Sequence, residues 1–96
     1  MLSLQHLKTF LTLVRFRSFT RAAIELQLTQ PAVSAHIAAL ESTLGTPLFN
    51  RTGRRIILTD AGRIAEKYAR SVLEQIDTMK SEIDDLQGLH GGTISI

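Results

Sequence analysis

Cysteine is absent from the chain, which excludes a disulfide framework and a thiolate metal site and fits a reducing compartment. No run approaches the roughly 18 consecutive apolar residues that span a bilayer. The apolar residues near the N-terminus are spaced helically and interrupted by Lys8, unlike the continuous apolar core of a signal peptide. The expectation is a soluble, intracellular protein with no membrane partner. Histidine is scarce: His6, His36 and His90 are scattered without metal-ligand spacing. Ser34 precedes His36 by two residues, and side chains two apart on a helix diverge, so they form no nucleophile–base pair. The glycines of His90-Gly91-Gly92 lack the following Lys-Ser/Thr and the strand-to-helix setting of a phosphate loop. No catalytic residue, metal or cofactor is expected.

Net charge is also small, at +2 over 96 residues, but the small sum hides a division. Residues 1–58 hold seven Lys or Arg against two acidic residues, net +5; residues 59–96 hold four against seven, net −3. A basic half suits a polyanionic partner and an acidic half suggests a separate task. The length allows one domain of modest core, or a small domain with an extended element.

What is present is organised around Thr29–Leu44. Val33, Ile37, Leu40 and Leu44 step by 4, 3 and 4, one apolar helical face. Thr29 can cap the start, Pro31 suits the first turn, and Gly45 with Pro47 ends the helix. The opposite face offers only Pro31, Ser34, Ala35, Ala38 and Ser42. A solvated face normally carries Lys and Glu, so small residues suggest a face pressed against another surface. His36 lies at an angle beside the core stripe, which favours a structural part over contact with a ligand.

Two helices precede this one. Ser3 can cap the first, with Leu4, Leu7, Phe10, Leu11 and Val14 as its buried face. Ser18 starts the second, with Phe19, Ala22, Ala23 and Leu26 inward and Ile24 outward, without an assigned role. So short a connection to Thr29 makes the second and third helices cross steeply, a helix-turn-helix. Pro47-Leu48-Phe49-Asn50 and Ile56-Ile57-Leu58 then flank Arg51-Thr52-Gly53-Arg54-Arg55, a small β-hairpin with a basic tip. Such a tip is ordinarily a solvated turn; after a helix-turn-helix it reads as a wing that reaches phosphates or a minor groove.

From Thr59 the chain is free of proline. A helix over residues 60–87 would extend roughly 42 Å at about 1.5 Å per residue. Ile64 and Tyr68 are expected to pack back on the three-helix core. Ala65, Ala69, Val72, Ile76, Met79, Ile83 and Leu86 step 4-3-4-3-4-3, a heptad seam that needs a partner helix. Its far end is acidic (Glu82, Asp84, Asp85) and its near end basic (Arg63, Lys67, Arg70), which favours antiparallel over parallel pairing. Gly88 stops the helix, and Thr93-Ile94-Ser95-Ile96 alternates like the opening of a truncated strand.

Phe19-Thr20-Arg21-Ala22-Ala23, Thr29-Gln30-Pro31-Ala32-Val33-Ser34, Leu40-Glu41, Leu44-Gly45, Leu48-Phe49, Arg51 and Leu58-Thr59-Asp60-Ala61-Gly62 stand together in one order and spacing. The whole resembles the N-terminal winged helix-turn-helix of LysR-type bacterial transcriptional regulators, followed by their linker helix. The resemblance implies a mainly α fold of three helices and a short β-hairpin wing. It divides the chain into a DNA-binding domain at 1–58, a linker and dimerisation helix at 59–88, and at 89–96 a hinge and the start of a truncated effector-binding domain. It places Gln30, Pro31, Ala32, Ser34 and Ala35 in the DNA major groove. Ser18, Thr20, Arg21, Arg51, Arg54 and Arg55 go to phosphate or minor groove, and the seam residues to dimerisation. A glutamine amide can bond adenine twice, which suits Gln30 to readout. This chain has Ala35 where many members carry a long polar or basic side chain. The partners implied are duplex DNA with two-fold-related half-sites and a second copy through antiparallel linker helices. A tetramer of the full-length protein and a small-molecule effector for the missing domain also follow, with a cytoplasmic, nucleoid-associated location. The remaining alternatives are a winged helix that serves as a protein adaptor and the related N-terminal domain of a molybdate-responsive regulator.

Overall fold

The computed structural model describes residues 2–52 and 55–88, with the side chains of Arg51 and Thr52 outside that description. Gly53, Arg54 and the hinge and strand expected at 89–96 lie outside the described residues. The elements run α1 (Leu4–Phe16), α2 (Phe19–Leu26), α3 (Gln30–Leu44), β1 (Phe49–Thr52), β2 (Arg55–Leu58) and α4 (Asp60–Leu86). Each helix opens on a hydroxyl that accepts from the third residue on. Ser3 takes the N–H of His6, Ser18 that of Arg21, Thr29 that of Ala32 and Thr59 that of Gly62. These bonds satisfy helix-end donors that would otherwise have only water. α1, α2 and α3 each end on a left-handed residue, Arg17, Gln27 and Gly45.

α1, α2 and α3 enclose a core of Phe10, Leu13, Val33, Ile37 and Leu40, closed from below by Leu48, Phe49 and Leu58. Ala22 and Ala23 bring α2 close against it. The buried arc of α1 is wider than its periodicity suggests: Leu13 and Thr9 are fully buried as well as Leu7, Phe10 and Val14. The reason is that α1 packs against α2, α3 and also α4. Leu4 and Leu44, expected inside, are 48% and 42% exposed. Both sit in terminal turns that run past the edge of the core.

β1 and β2 form an antiparallel ribbon in the register Phe49↔Leu58, Asn50↔Ile57, Arg51↔Ile56 and Thr52↔Arg55. Arg51 and Arg55 therefore belong to the strands, and the tip is narrower than the five residues expected. The base of the ribbon is tied to both flanking helices. Glu41 Oε2 accepts from the backbone N–H of Leu48 (2.7 Å) and of Phe49 (3.4 Å). Thr59 Oγ1 donates to the Pro47 carbonyl (2.8 Å), while the Thr59 N–H donates to that of Leu48 (3.0 Å). Gly62 passes so close that a Cβ there would overlap the Leu48 carbonyl and meet Leu58 Cδ2 at 2.8 Å. This explains a glycine inside a helix, where it is otherwise unfavourable.

α4 leaves the domain as a single 27-residue helix, in a molecule about 60 Å long and 25 Å wide. The face it turns to the core differs from expectation. Ala69 is 2% exposed and belongs to the core, with Ala61 and Ala65 packed beside it. Ile64 and Tyr68, expected to pack inward, are 61% and 59% exposed. α4 lies close to α1, and alanines permit that approach where isoleucine and tyrosine would hold the helices apart.

Candidate nucleic-acid interface

The first half of α3 presents one small, open face. Gln30, Pro31, Ser34 and Ala35 are exposed and Ala32 half-buried, while Val33 and Ile37 on the other side are buried. Three features fix the course of the helix start: the Thr29 cap, proline within the first turn and anchorage by Val33 in the core. Ala38 and Ser42 extend the open face along the helix. A partner surface can thus approach the α3 backbone closely without displacing a long side chain.

α2 is held beside it by the bend at Gln27, whose φ of 58° turns the chain, and by the Leu28 N–H donating to the Ala23 carbonyl at 2.9 Å. Thr20 and Arg21 are exposed on its first turn, next to the Ser18 cap. The guanidinium of Arg21 lies 5.3 Å from the centre of the Phe16 ring, and that of Arg15 lies 5.0 Å from it. Such cation–π contact orients a cation without neutralising it. Arg55 is exposed at the start of β2; Arg51 is placed by its backbone in β1 only, and Arg54 lies outside the described residues. Ser18, Thr20 and Arg21 are thus grouped at one helix start, and Arg51 and Arg55 on neighbouring strands.

His36 is tied inward. Its Nδ1 lies 2.8 Å from Oγ1 of the fully buried Thr9, and its ring sits 4.6 Å from that of His6. Burial, and to a lesser degree the charge of His6, hold its pKa below the ordinary value of 6.5. The contact joins α3 to α1 rather than offering a ring to a ligand. Two contacts were not read from the sequence: Glu41, known there only as part of a motif, fixes the ribbon to α3, and Arg17, read only as ending the first helix, donates through Nη1 to the Ile56 carbonyl at 3.1 Å. Neither reach is visible in local spacing, because both partners come from other elements. Ile24 is exposed, and nothing in the structure explains it.

The outer face of α4 is apolar along its length: Ile64, Tyr68, Val72, Met79, Ile83 and Leu86 are exposed and Ile76 half-buried. Beside the domain this stripe borders a groove of about 350 Å³, lined by Leu2, Leu44, Leu48, Ile64, Tyr68 and Val72 among others. Ala65 and Ala69 line the same groove from its buried side, packed on their own domain, while Ile64 and Tyr68 stand exposed at its margin. Of the near-end cations, Arg63 pairs with Asp60 and Arg70 with Glu66 along the same helix. The charge contrast between the two ends is correspondingly reduced. Among the described residues no helix is long and apolar enough to cross a membrane, and no three ligating side chains converge on a metal site.

Residues 4–63 match the family model described as bacterial regulatory helix-turn-helix protein, lysR family. The chain is 39% identical over 94 residues to a RuBisCO operon transcriptional regulator of Allochromatium vinosum, covering 98% of this chain and 31% of that protein. It is 37% identical over 94 residues to the HTH-type transcriptional activator CmpR of a Synechocystis strain, again covering 98% and 31%. The chain therefore spans about a third of the length of these relatives. Among solved structures it resembles the BenM DNA-binding domain in complex with catB site 1 DNA, at a TM-score of 0.87 and 35% identity. That likeness covers 93% of this chain and 96% of the other.

Proposed function

The chain belongs to the lysR family of bacterial regulatory helix-turn-helix proteins, and on that premise we propose how this DNA-binding domain engages its duplex. It is a DNA-binding unit of a transcriptional regulator and not an enzyme. The observation that carries the reading is the small open face on the first half of α3, backed by buried Val33 and Ile37. That half enters a major groove: Gln30 reads a base edge, Ser34 bonds a base or phosphate, and Pro31, Ala32 and Ala35 give close apolar contact. Ser18, Thr20 and Arg21 fix the register on one phosphate run, and Arg51, Arg54 and Arg55 take phosphate or minor groove.

Residues 1–58 form the binding unit in this reading, and 59–88 the linker through which two copies pair antiparallel to meet two-fold-related half-sites. The apolar stripe on α4, which a monomer leaves in water, supports the pairing. A tetramer, a small-molecule effector and a cytoplasmic, nucleoid-associated location belong to the same reading of the longer protein. Selection of preferred sites from random duplex, followed by titration of the selected and the random DNA at several salt concentrations, tests it. A steep fall of affinity with salt is expected on both, with tighter binding to the selected site. Equal affinity for both would reduce the domain to a non-specific binder, and no binding at low salt would leave the adaptor role.

A further inference from the structure

The corner between α1 and α2 carries a residue whose backbone is unusual and whose side chain reaches the wing over the surface. Arg17 caps α1 at φ 53°, in the left-handed region that glycine enters freely and larger residues rarely do. Its guanidinium reaches 39 residues along the chain, where Nη1 donates to the Ile56 carbonyl of β2 at 3.1 Å. An unfavoured backbone kept at such a point invites a search for what its side chain does.

The ribbon supplies the reason. Leu58 and Phe49 bury its base, Ile56 packs partly on the core, and beyond it Arg55 is exposed. Two four-residue strands have little stability of their own, so the reach of the outer ribbon depends on what holds it near Ile56. Ile56 stands opposite Arg51 and next to Arg55. Arg17 in turn adjoins Ser18, whose hydroxyl caps the helix that carries Thr20 and Arg21. One hydrogen bond therefore spans the two groups of proposed phosphate contacts.

We infer that Arg17 is a positioning residue for DNA binding: it braces the wing against the α1–α2 corner, so that the wing arginines and the start of α2 meet one duplex at a fixed separation. The inference rests on the DNA-binding reading above, and one arm of its test needs no DNA. Arg17→Gly keeps the left-handed turn and removes the brace. Arg17→Gln keeps an N–H donor and removes the charge. Without DNA, Arg17→Gly should speed hydrogen exchange of the β1 and β2 amides while leaving those of α1 and α3 unchanged. On a short random-sequence duplex its affinity should fall by about three- to tenfold, the scale of one exposed hydrogen bond. Combining it with Arg55→Ala should cost less than the product of the two single losses, because a loosened wing has already forfeited part of the Arg55 contact. Arg17→Gln should recover part of both effects.

Unchanged exchange with losses that multiply would make Arg17 a phosphate ligand in its own right and overturn the brace. Faster exchange with unchanged affinity would show that the brace does not serve DNA, which also overturns it. If the unaltered chain does not bind duplex at all, the DNA-binding reading falls and the positioning role falls with it, whereas the exchange arm still reports whether the brace holds the wing.

Discussion

Gln30 stands at the first position of α3 with its side chain in solvent and its backbone set by the Thr29 cap and Pro31. An amide carried on a backbone so fixed can form a two-point pair with adenine worth roughly 1–3 kcal/mol of discrimination. Gln30→Ala should therefore weaken binding to a selected site by more than it weakens binding to random duplex. Parallel losses in competition titrations would show that Gln30 only holds the helix start. His36, on the same helix, is expected to act through stability. Its pKa is lowered first by burial and then by the neighbouring His6, so between that lowered value and about 6.5 the unfolded chain binds more protons than the folded one. The sign follows: the contribution of neutral His36 is intact above about pH 6.5 and is lost as the pH falls toward and below the lowered value. Urea midpoints measured from pH 8 to pH 5 should thus decline for the unaltered chain and decline less for His36→Gln. Identical slopes would mean that the Thr9–His36–His6 contact does not sense protonation. The inward role of His36 was legible in its angle on the helix. Its partner was not, because Thr9 is a polar residue whose burial comes from three helices meeting on α1.

The wing is where element and sequence pattern agree most closely in kind and least in detail. Two apolar runs flanking a basic stretch indicated a hairpin, and the register places Arg51 and Arg55 within its strands. Pairing extends further toward the tip than hydrophobicity does, since a ladder needs only backbone groups. The wing arginines are proposed to meet phosphate or minor groove and not to read the major groove. Arg54→Ala or Arg55→Ala should then lower affinity for selected and random duplex alike. Each lost phosphate contact should also reduce the salt slope by about 0.9. Unchanged affinity together with an unchanged slope would leave the ribbon a solvated turn. For α4 the existence, length and capping of the helix were readable from Thr59, Asp60 and the absence of proline. The phase of its inner face was not. Apolar periodicity treats alanine and isoleucine alike, whereas close packing against α1 separates them by volume and turns Ala65 and Ala69 inward, Ile64 and Tyr68 outward. Gly62 carries the same lesson, because only the approach of the Leu48 carbonyl shows why no larger residue stands there.

At the scale of the whole molecule, the helix that leaves the domain sets a problem a single copy does not solve. Val72, Met79, Ile83 and Leu86 are exposed along the half of α4 that extends past the domain, and each large apolar side chain left in water forgoes roughly 1.5–3 kcal/mol of burial. A second copy related by a two-fold axis would cover the same patch on both partners. Run antiparallel, the far half of one α4 would lie along the near half of the other, which brings Met79, Ile83 and Leu86 toward the groove bordered by Leu44, Ile64 and Tyr68. Apolar fit is the stronger argument for this orientation, because Arg63 and Arg70 already have acidic partners on their own helix and exposed ion pairs contribute little. Ile83→Glu or Ile76→Glu places a charge in the stripe without touching the core of the DNA-binding unit. Each should give a folded monomer with the circular dichroism of the parent and weak binding to a single half-site, since a dimer gains by engaging two linked sites at once. Because the variants retain the α3 face and the wing, a loss confined to two-site DNA would separate failed pairing from failed recognition. Sedimentation equilibrium decides the premise: a parent chain that stays monomeric at high micromolar concentration would sink the dimer and leave the α4 stripe without a partner.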